Sequence, residues 1–135
     1  MEKYIFELDF KVRDYECDLQ GIVNNANYLH YFEHTRHEFL DNMNINVLEL
    51  HNQGIDPVIA RVNMALKTPL TSGDEFVSKL FLTKEGIKYT FHQDLFRKSD
   101  NRVVAKAKIE AVTIINGRLS RSELFDQAFA PYIKA

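Results

Sequence analysis

The hydrophobic periodicity of this chain changes at Asn27, and the new spacing holds for about sixteen residues, which is roughly four helical turns. Before the change, residues 4–14 (YIFELDFKVRD) alternate. Phe6, Leu8, Phe10 and Val12 share one face, with Glu7, Asp9, Lys11 and Arg13 on the other, the period of a half-buried strand. After it, Leu29, Phe32, Arg36, Phe39, Leu40 and Met43 recur at helical spacing with Tyr28 and Thr35 alongside. The polar positions go to Glu33, His34, His37, Glu38 and Asp41. One helix over roughly 26–42 is predicted, capped by Asn24, Asn25 or Asn27.

Nothing later matches that helix in length. Residues 45–53 suggest a short second helix, with Gly54 suited to its end. Residues 56–68 alternate with Val58, Ala60, Val62, Met64 and Leu66 on one face. Further strands are expected at 75–84, 87–98 and 102–115, punctuated by Pro69, Ser72-Gly73-Asp74, Glu85-Gly86 and Ser99-Asp100-Asn101. Asn116-Gly117 marks a turn, and Ser120-Arg121-Ser122-Glu123 reads as a capping box for a short C-terminal helix. One long helix must therefore serve as the core for a whole antiparallel sheet, an α+β arrangement in one domain spanning 1–135. The other sheet face and its edges then need cover, which predicts self-association as a dimer or tetramer.

Composition narrows the function classes. A net charge of −2 gives no reason to expect a nucleic-acid partner. The single cysteine, Cys17, excludes an internal disulfide and a multi-cysteine zinc site, and fits a reducing compartment. The first residues alternate apolar and charged, unlike a secretory signal, and no apolar run approaches the roughly 20 residues a membrane span needs. A cytoplasmic location is expected.

The informative stretch is CDLQGIVNNANY, residues 17–28. Asp18 precedes a Leu19-Gln20-Gly21 turn; Ile22 and Val23 follow, then Asn24, Asn25 and Asn27 at the helix start. Taken alone, Asp18 is most simply a turn carboxylate and the asparagines are caps. The whole pattern, however, resembles the active-site stretch of hotdog acyl-CoA thioesterases of the 4-hydroxybenzoyl-CoA thioesterase type: Asp18, Gly21, the β-branched pair Ile22-Val23, then Asn24-Asn25, Ala26, Asn27 and Tyr28. Residues 31–40 (YFEHTRHEFL) look like that family's long helix, and Pro69 to Asp74 like its Pro…Gly-Asp hairpin. The run Val-Arg-Asp-Tyr-Glu…Val-Asn-Asn-Ala is similar to the plant and bacterial acyl-thioesterase branch.

The resemblance implies a hotdog fold, a long central helix wrapped by a curved antiparallel sheet. It also implies hydrolysis of acyl-CoA or acyl-carrier-protein thioesters without a metal or other cofactor. Asp18 would be the nucleophile or the general base, and both roles stay open. The Asn25 backbone N–H would polarise the carbonyl, as a helix N-terminus can. Gly21, Val23, Asn24 and Tyr28 would border the substrate, and Ser120 and Arg121 would meet the phosphorylated nucleotide of CoA. Some bacterial relatives carry His at the position of Asn25, so an imidazole mechanism there is closed to this chain. Glu33 is the second-choice catalytic residue. His30, His34 and His37 read as a polar helix face rather than metal ligands. Two competing readings are a non-catalytic acyl-thioester-binding domain and an enoyl-thioester dehydratase or hydratase. The second would need a motif histidine that is not found near the helix start.

Overall fold

A computed structural model describes residues 3–133. The elements are β1 (Phe6–Lys11), α1 (Asn25–Asn42), α2 (Val47–Asn52), β2 (Ile55–Leu66), β3 (Glu75–Glu85), β4 (Lys88–Arg97), β5 (Val103–Ile115), β6 (Arg118–Ser120) and α3 (Glu123–Phe129). Single 3-10 turns cover Asp14–Glu16 and Ala130–Tyr132. The strands form one antiparallel sheet in the order β1-β3-β4-β5-β2, with β6 paired to β5.

Helix α1 lies on one face of this sheet and buries a single stripe. Tyr28, Tyr31, Phe32, Thr35, Arg36 and Phe39 follow the i, i+3, i+4, i+7 spacing of that stripe. The sheet answers with alternate residues: Phe76, Ser78, Leu80 and Leu82 on β3; Tyr89, Phe91, Gln93 and Leu95 on β4; Ala105, Ala107, Ile109 and Ala111 on β5. Phe32, at the middle of the helix, is wholly buried, and truncating such a ring costs about 3–5 kcal/mol. Polar pairing fixes the helix against the sheet. Thr35 Oγ1 lies 2.8 Å from Ser78 Oγ, and Gln93 Nε2 donates to the Phe32 carbonyl at 3.0 Å. Helix α3 closes the far end through Phe125 and Phe129, which stacks near Phe39.

Several expectations shift by a few residues for local reasons. The first strand stops at Lys11, because the chain turns into the 3-10 segment at Asp14–Glu16. Leu29 is exposed, since it sits off the arc set by Tyr28, Tyr31 and Phe32. The five-residue apolar face expected on β2 is interrupted: the register with β5 shifts between Ile59 and Arg61, so Ala60 is an extra residue, a bulge. The expected capping box sits two residues too early. Ser120 pairs with Thr113 in β6, and the cap of α3 is Ser122, whose side chain accepts from the Phe125 N–H. Gly54 does end α2: its φ is +81°, and a Cβ there would meet Asn116 Oδ1.

Candidate functional site

The segment between β1 and α1 is held from beneath by Glu16, which is buried although charged. Its Oε1 accepts from the Arg13 N–H at 2.9 Å and from the buried Tyr31 hydroxyl at 2.8 Å. Its backbone carbonyl accepts from the Asn24 N–H at 3.0 Å and from Asn27 Nδ2 at 2.8 Å. Burial and the Glu16 hydrogen bond push the Tyr31 phenol well above its usual pKa, so Tyr31 stays a donor. One side chain and one carbonyl thus tie the turn to the first coil of α1.

On this base the Asp18 turn is small and open. The Gly21 N–H donates to the Asp18 carbonyl at 3.0 Å, the Asp18 N–H to the Ile22 carbonyl at 2.9 Å, and the Gln20 N–H to Asp18 Oδ1 at 2.8 Å. Asp18 is exposed, with Oδ2 free of any hydrogen bond among the described residues. Gly21 has φ +79°, a conformation that favours glycine, but a Cβ there would meet nothing within 4 Å. The need for glycine in the single chain is therefore conformational and does not come from a close neighbour. After the turn, Val23 donates to the Leu70 carbonyl at 2.9 Å, which brings the Pro69–Asp74 hairpin alongside.

Helix α1 then begins. Asn24 is its cap and accepts from the Ala26 N–H at 2.9 Å. Asn25 is the first helical residue and is exposed, so its N–H is one of the first-turn donors without an intrahelical acceptor. Asp18, Gly21, Asn24 and Asn25 are all exposed, and the bond from the Asn24 N–H to the Glu16 carbonyl ties the turn to the positive end of α1. Val23 and Tyr28 are not exposed: Val23 is buried in the core, and the buried Tyr28 phenol accepts from the Leu70 N–H at 3.3 Å.

Ser120 and Arg121 lie elsewhere. The Asp18 loop joins the sheet at Leu70 and Thr71, beyond the β5 end near Val104, whereas Ser120 pairs with Thr113. Nine residue steps along β5 separate Val104 from Thr113, about 30 Å along the strand. Arg121 Nε donates to Asp126 Oδ2 at 2.9 Å, Lys84 reaches the same carboxylate at 3.2 Å, and the Tyr89 hydroxyl also donates to it. Within one chain, the two halves of the expected substrate site are apart.

A cavity of about 120 Å³ lies under the C-terminal half of α1. Leu40, Ile59, Tyr89, Phe91, Ala111 and Phe129 give it apolar walls, and Glu33, Arg36 and His37 line it from α1. Among the described residues no three His, Cys, Asp or Glu side chains are grouped closely enough to hold a metal ion, and His34 lies 3.6 Å from Glu38.

The sequence profile of the thioesterase-like superfamily matches residues 12–131. The chain belongs to that superfamily. It is 38% identical over 111 residues to an acyl-acyl carrier protein thioesterase, ATL3, of Arabidopsis thaliana chloroplasts, a match covering 82% of this chain and 58% of the plant protein. The chain thus spans little more than half the length of that relative. Among solved structures, a hypothetical protein from Aquifex aeolicus aligns with TM-score 0.84 and 28% identity over 96% of this chain and all of the other. The 1,4-dihydroxy-2-naphthoyl-CoA thioesterase Slr0204 from Synechocystis aligns with TM-score 0.87 at 14% identity, covering 93% of this chain and 95% of that one. The hotdog fold expected from the Asp18–Tyr28 motif is therefore the fold of this superfamily member.

Two residues of the site region had no assigned role in the sequence reading. Glu16 carries no pattern that marks it as buried; it adjoins the motif and nothing more. Arg36 did leave a signal, a charged residue at an apolar position of the helical stripe.

Proposed function

We propose that this chain hydrolyses acyl thioesters of CoA or acyl carrier protein, with Asp18 as the reacting carboxylate and the Asn25 N–H as the donor to the carbonyl oxygen. The observation that carries this reading is an exposed Asp18 in a turn tied to the start of α1, where the Asn25 N–H has no intrahelical acceptor, in a member of the thioesterase-like superfamily. In one route Asp18 takes a proton from water as it attacks the thioester carbon. The oxyanion forms beside the Asn25 N–H, the C–S bond breaks, and the thiolate takes the proton. In the other, the carboxylate itself attacks and expels the thiolate, and water then opens the resulting anhydride to the acid and free Asp18.

The remaining half of the site is supplied, on this reading, by a second copy of the chain. Strand β2 pairs with β5 along one edge, and among the described residues its other edge has no strand beside it. It exposes Val58, Ile59, Val62 and Leu66. Antiparallel pairing of two such edges about a two-fold brings the Leu66 end of one copy to the Ile55 end of the other. The Asp18 surface of one copy then approaches the end of the partner that carries Ser120 and Arg121. A homodimer, alone or within a tetramer, removes both the open β2 edge and the separation of about 30 Å between Val104 and Thr113 along β5.

The test is the Asp18→Asn variant on a panel of acyl-CoA and acyl-carrier-protein thioesters. Asparagine keeps the acceptor for the Gln20 N–H, so the turn is retained. The expected result is a fall in kcat/KM of about 10²–10⁴-fold with the fold intact, and a smaller loss for Glu33→Gln. Wild-type turnover by Asp18→Asn would end the assignment of Asp18, and binding of the whole panel without turnover by the wild type would favour a binding module.

A further inference from the structure

Arg36 is 9% exposed, and its guanidinium lines the cavity under α1. Among the described residues it makes one hydrogen bond, Nη1 to Gln93 Oε1 at 2.9 Å, and no carboxylate comes within 4.0 Å. Gln93 cannot turn away to serve it better, because its Nε2 is held by the Phe32 carbonyl. The Phe91 ring lies 6.0 Å beneath the guanidinium carbon. A guanidinium carries five N–H donors in a planar fork, and burial without an anion is unfavourable. Burial lowers the Arg36 pKa, and Glu33 one turn earlier opposes this only from a distance. No side-chain nitrogen among the described residues is both enclosed and unpaired, so the remaining Arg36 donors keep accessible surface, and Arg36 lines the cavity.

We propose that the Arg36 cavity is a subsite for a short acyl group that ends in a carboxylate and whose thioester carbon meets the Asp18 turn of a second copy, so that half-thioesters of short dicarboxylic acids are preferred substrates. Within one chain Arg36 is eleven residues along α1 from Asn25, about 16 Å, too far for such a group. The inference rests on the thioesterase reading for its substrate but not for its anion site. The apolar walls hold the methylene segment, and the free edge of the guanidinium donates two parallel hydrogen bonds to the terminal carboxylate. The cavity is smaller than the roughly 150 Å³ that takes a benzene ring, which limits the group to a few carbons. Glu33 and His37 line the same cavity; Glu33 is exposed and repels an anion only weakly through water.

Two measurements test it. Butyrate is expected to raise the melting temperature of the wild-type protein while butanol does not, and Arg36→Met should abolish the butyrate response. Glutaryl-CoA should be preferred over pentanoyl-CoA in kcat/KM, and Arg36→Met should shift that ratio by about 10–100-fold toward pentanoyl-CoA. Should Arg36→Met fail to fold, Arg36→Lys keeps the positive charge but lacks the planar two-donor fork, and should weaken both the butyrate response and the glutaryl preference in a folded protein. A butyrate response equal in wild type and both variants overturns the subsite, as does a glutaryl-to-pentanoyl ratio that neither variant changes. A butyrate response that needs Arg36, with no thioester hydrolysed at all, would keep the subsite and overturn the thioesterase reading instead.

Discussion

Replacing Glu16 with alanine is the sharpest test of how the Asp18 turn is held. The change removes the acceptor of the buried Tyr31 hydroxyl and of the Arg13 N–H, and leaves untouched the carbonyl that binds Asn24 and Asn27. A hydrogen bond to a charged acceptor contributes about 1.5–3 kcal/mol. The Arg13 N–H is only partly buried and regains water, whereas Tyr31 is 4% exposed and does not. The expected loss is therefore about 3 kcal/mol in urea unfolding, most of it from Tyr31. The second ion-pair contact, Arg13 Nη1 to Oε2 at 3.4 Å, adds little because Arg13 is largely in solvent. Tyr31→Phe alone should cost about 1.5 kcal/mol, and adding it to Glu16→Ala should cost almost nothing more. Folded Glu16→Ala should also hydrolyse thioesters more slowly than wild type although Asp18 is intact, because the turn ahead of α1 is no longer anchored. Strict additivity of the two substitutions, or a loss under about 1 kcal/mol for Glu16→Ala, would refute Glu16 as the anchor.

On the outer sheet face, burial first and the Lys108 charge second hold the His92 imidazole below its usual pKa. Lys3 adds to this and Asp94 opposes it. The folded state therefore binds that proton less readily than the unfolded chain. The contribution is complete above about pH 6.5 and is lost as pH falls toward the folded value. Urea midpoints between about pH 7.5 and pH 5 should fall less steeply for His92→Gln than for wild type, and parallel curves would contradict this. At the open β2 edge, Val62→Lys puts like charges against each other across the proposed two-fold. Sedimentation should show a monomer with little thioesterase activity; an unchanged mass would place the interface elsewhere.

The parts legible in sequence were those set by local periodicity. The change at Asn27 located α1 to within a residue of its start, because a single buried stripe requires helical spacing there. The strand order was not legible. Nothing in residues 55–66 says that this strand lies beyond β5 and not beside β3, since pairing depends on partners distant in sequence. The site divided in the same way. Asp18, Gly21 and Asn25 sit within eight positions and were readable as one motif. The distance of Ser120 and Arg121 from them, and the burial of Glu16 and Arg36, follow from tertiary packing. Ser120 shows the limit of motif reading: the box pattern was present, but a two-residue turn at Asn116-Gly117 carried the chain into β6 first.

The sheet order also sets the sequence in which contacts become affordable to a folding chain. The β3–β4 turn leaves only Gly86 and Ile87 unpaired, and β4 reaches β5 across Lys98 to Arg102. By contrast, Lys11 must find Glu75, and Ile55 must find Ile115. Loop-closure entropy favours the central meander as the early structure, with β1 and β2 docking onto its two sides afterwards. The Asp18 turn is strung between β1 and α1, so its geometry exists only once the most distant pairing in the chain has formed. Opening of β1 alone would silence the site while the meander stayed folded.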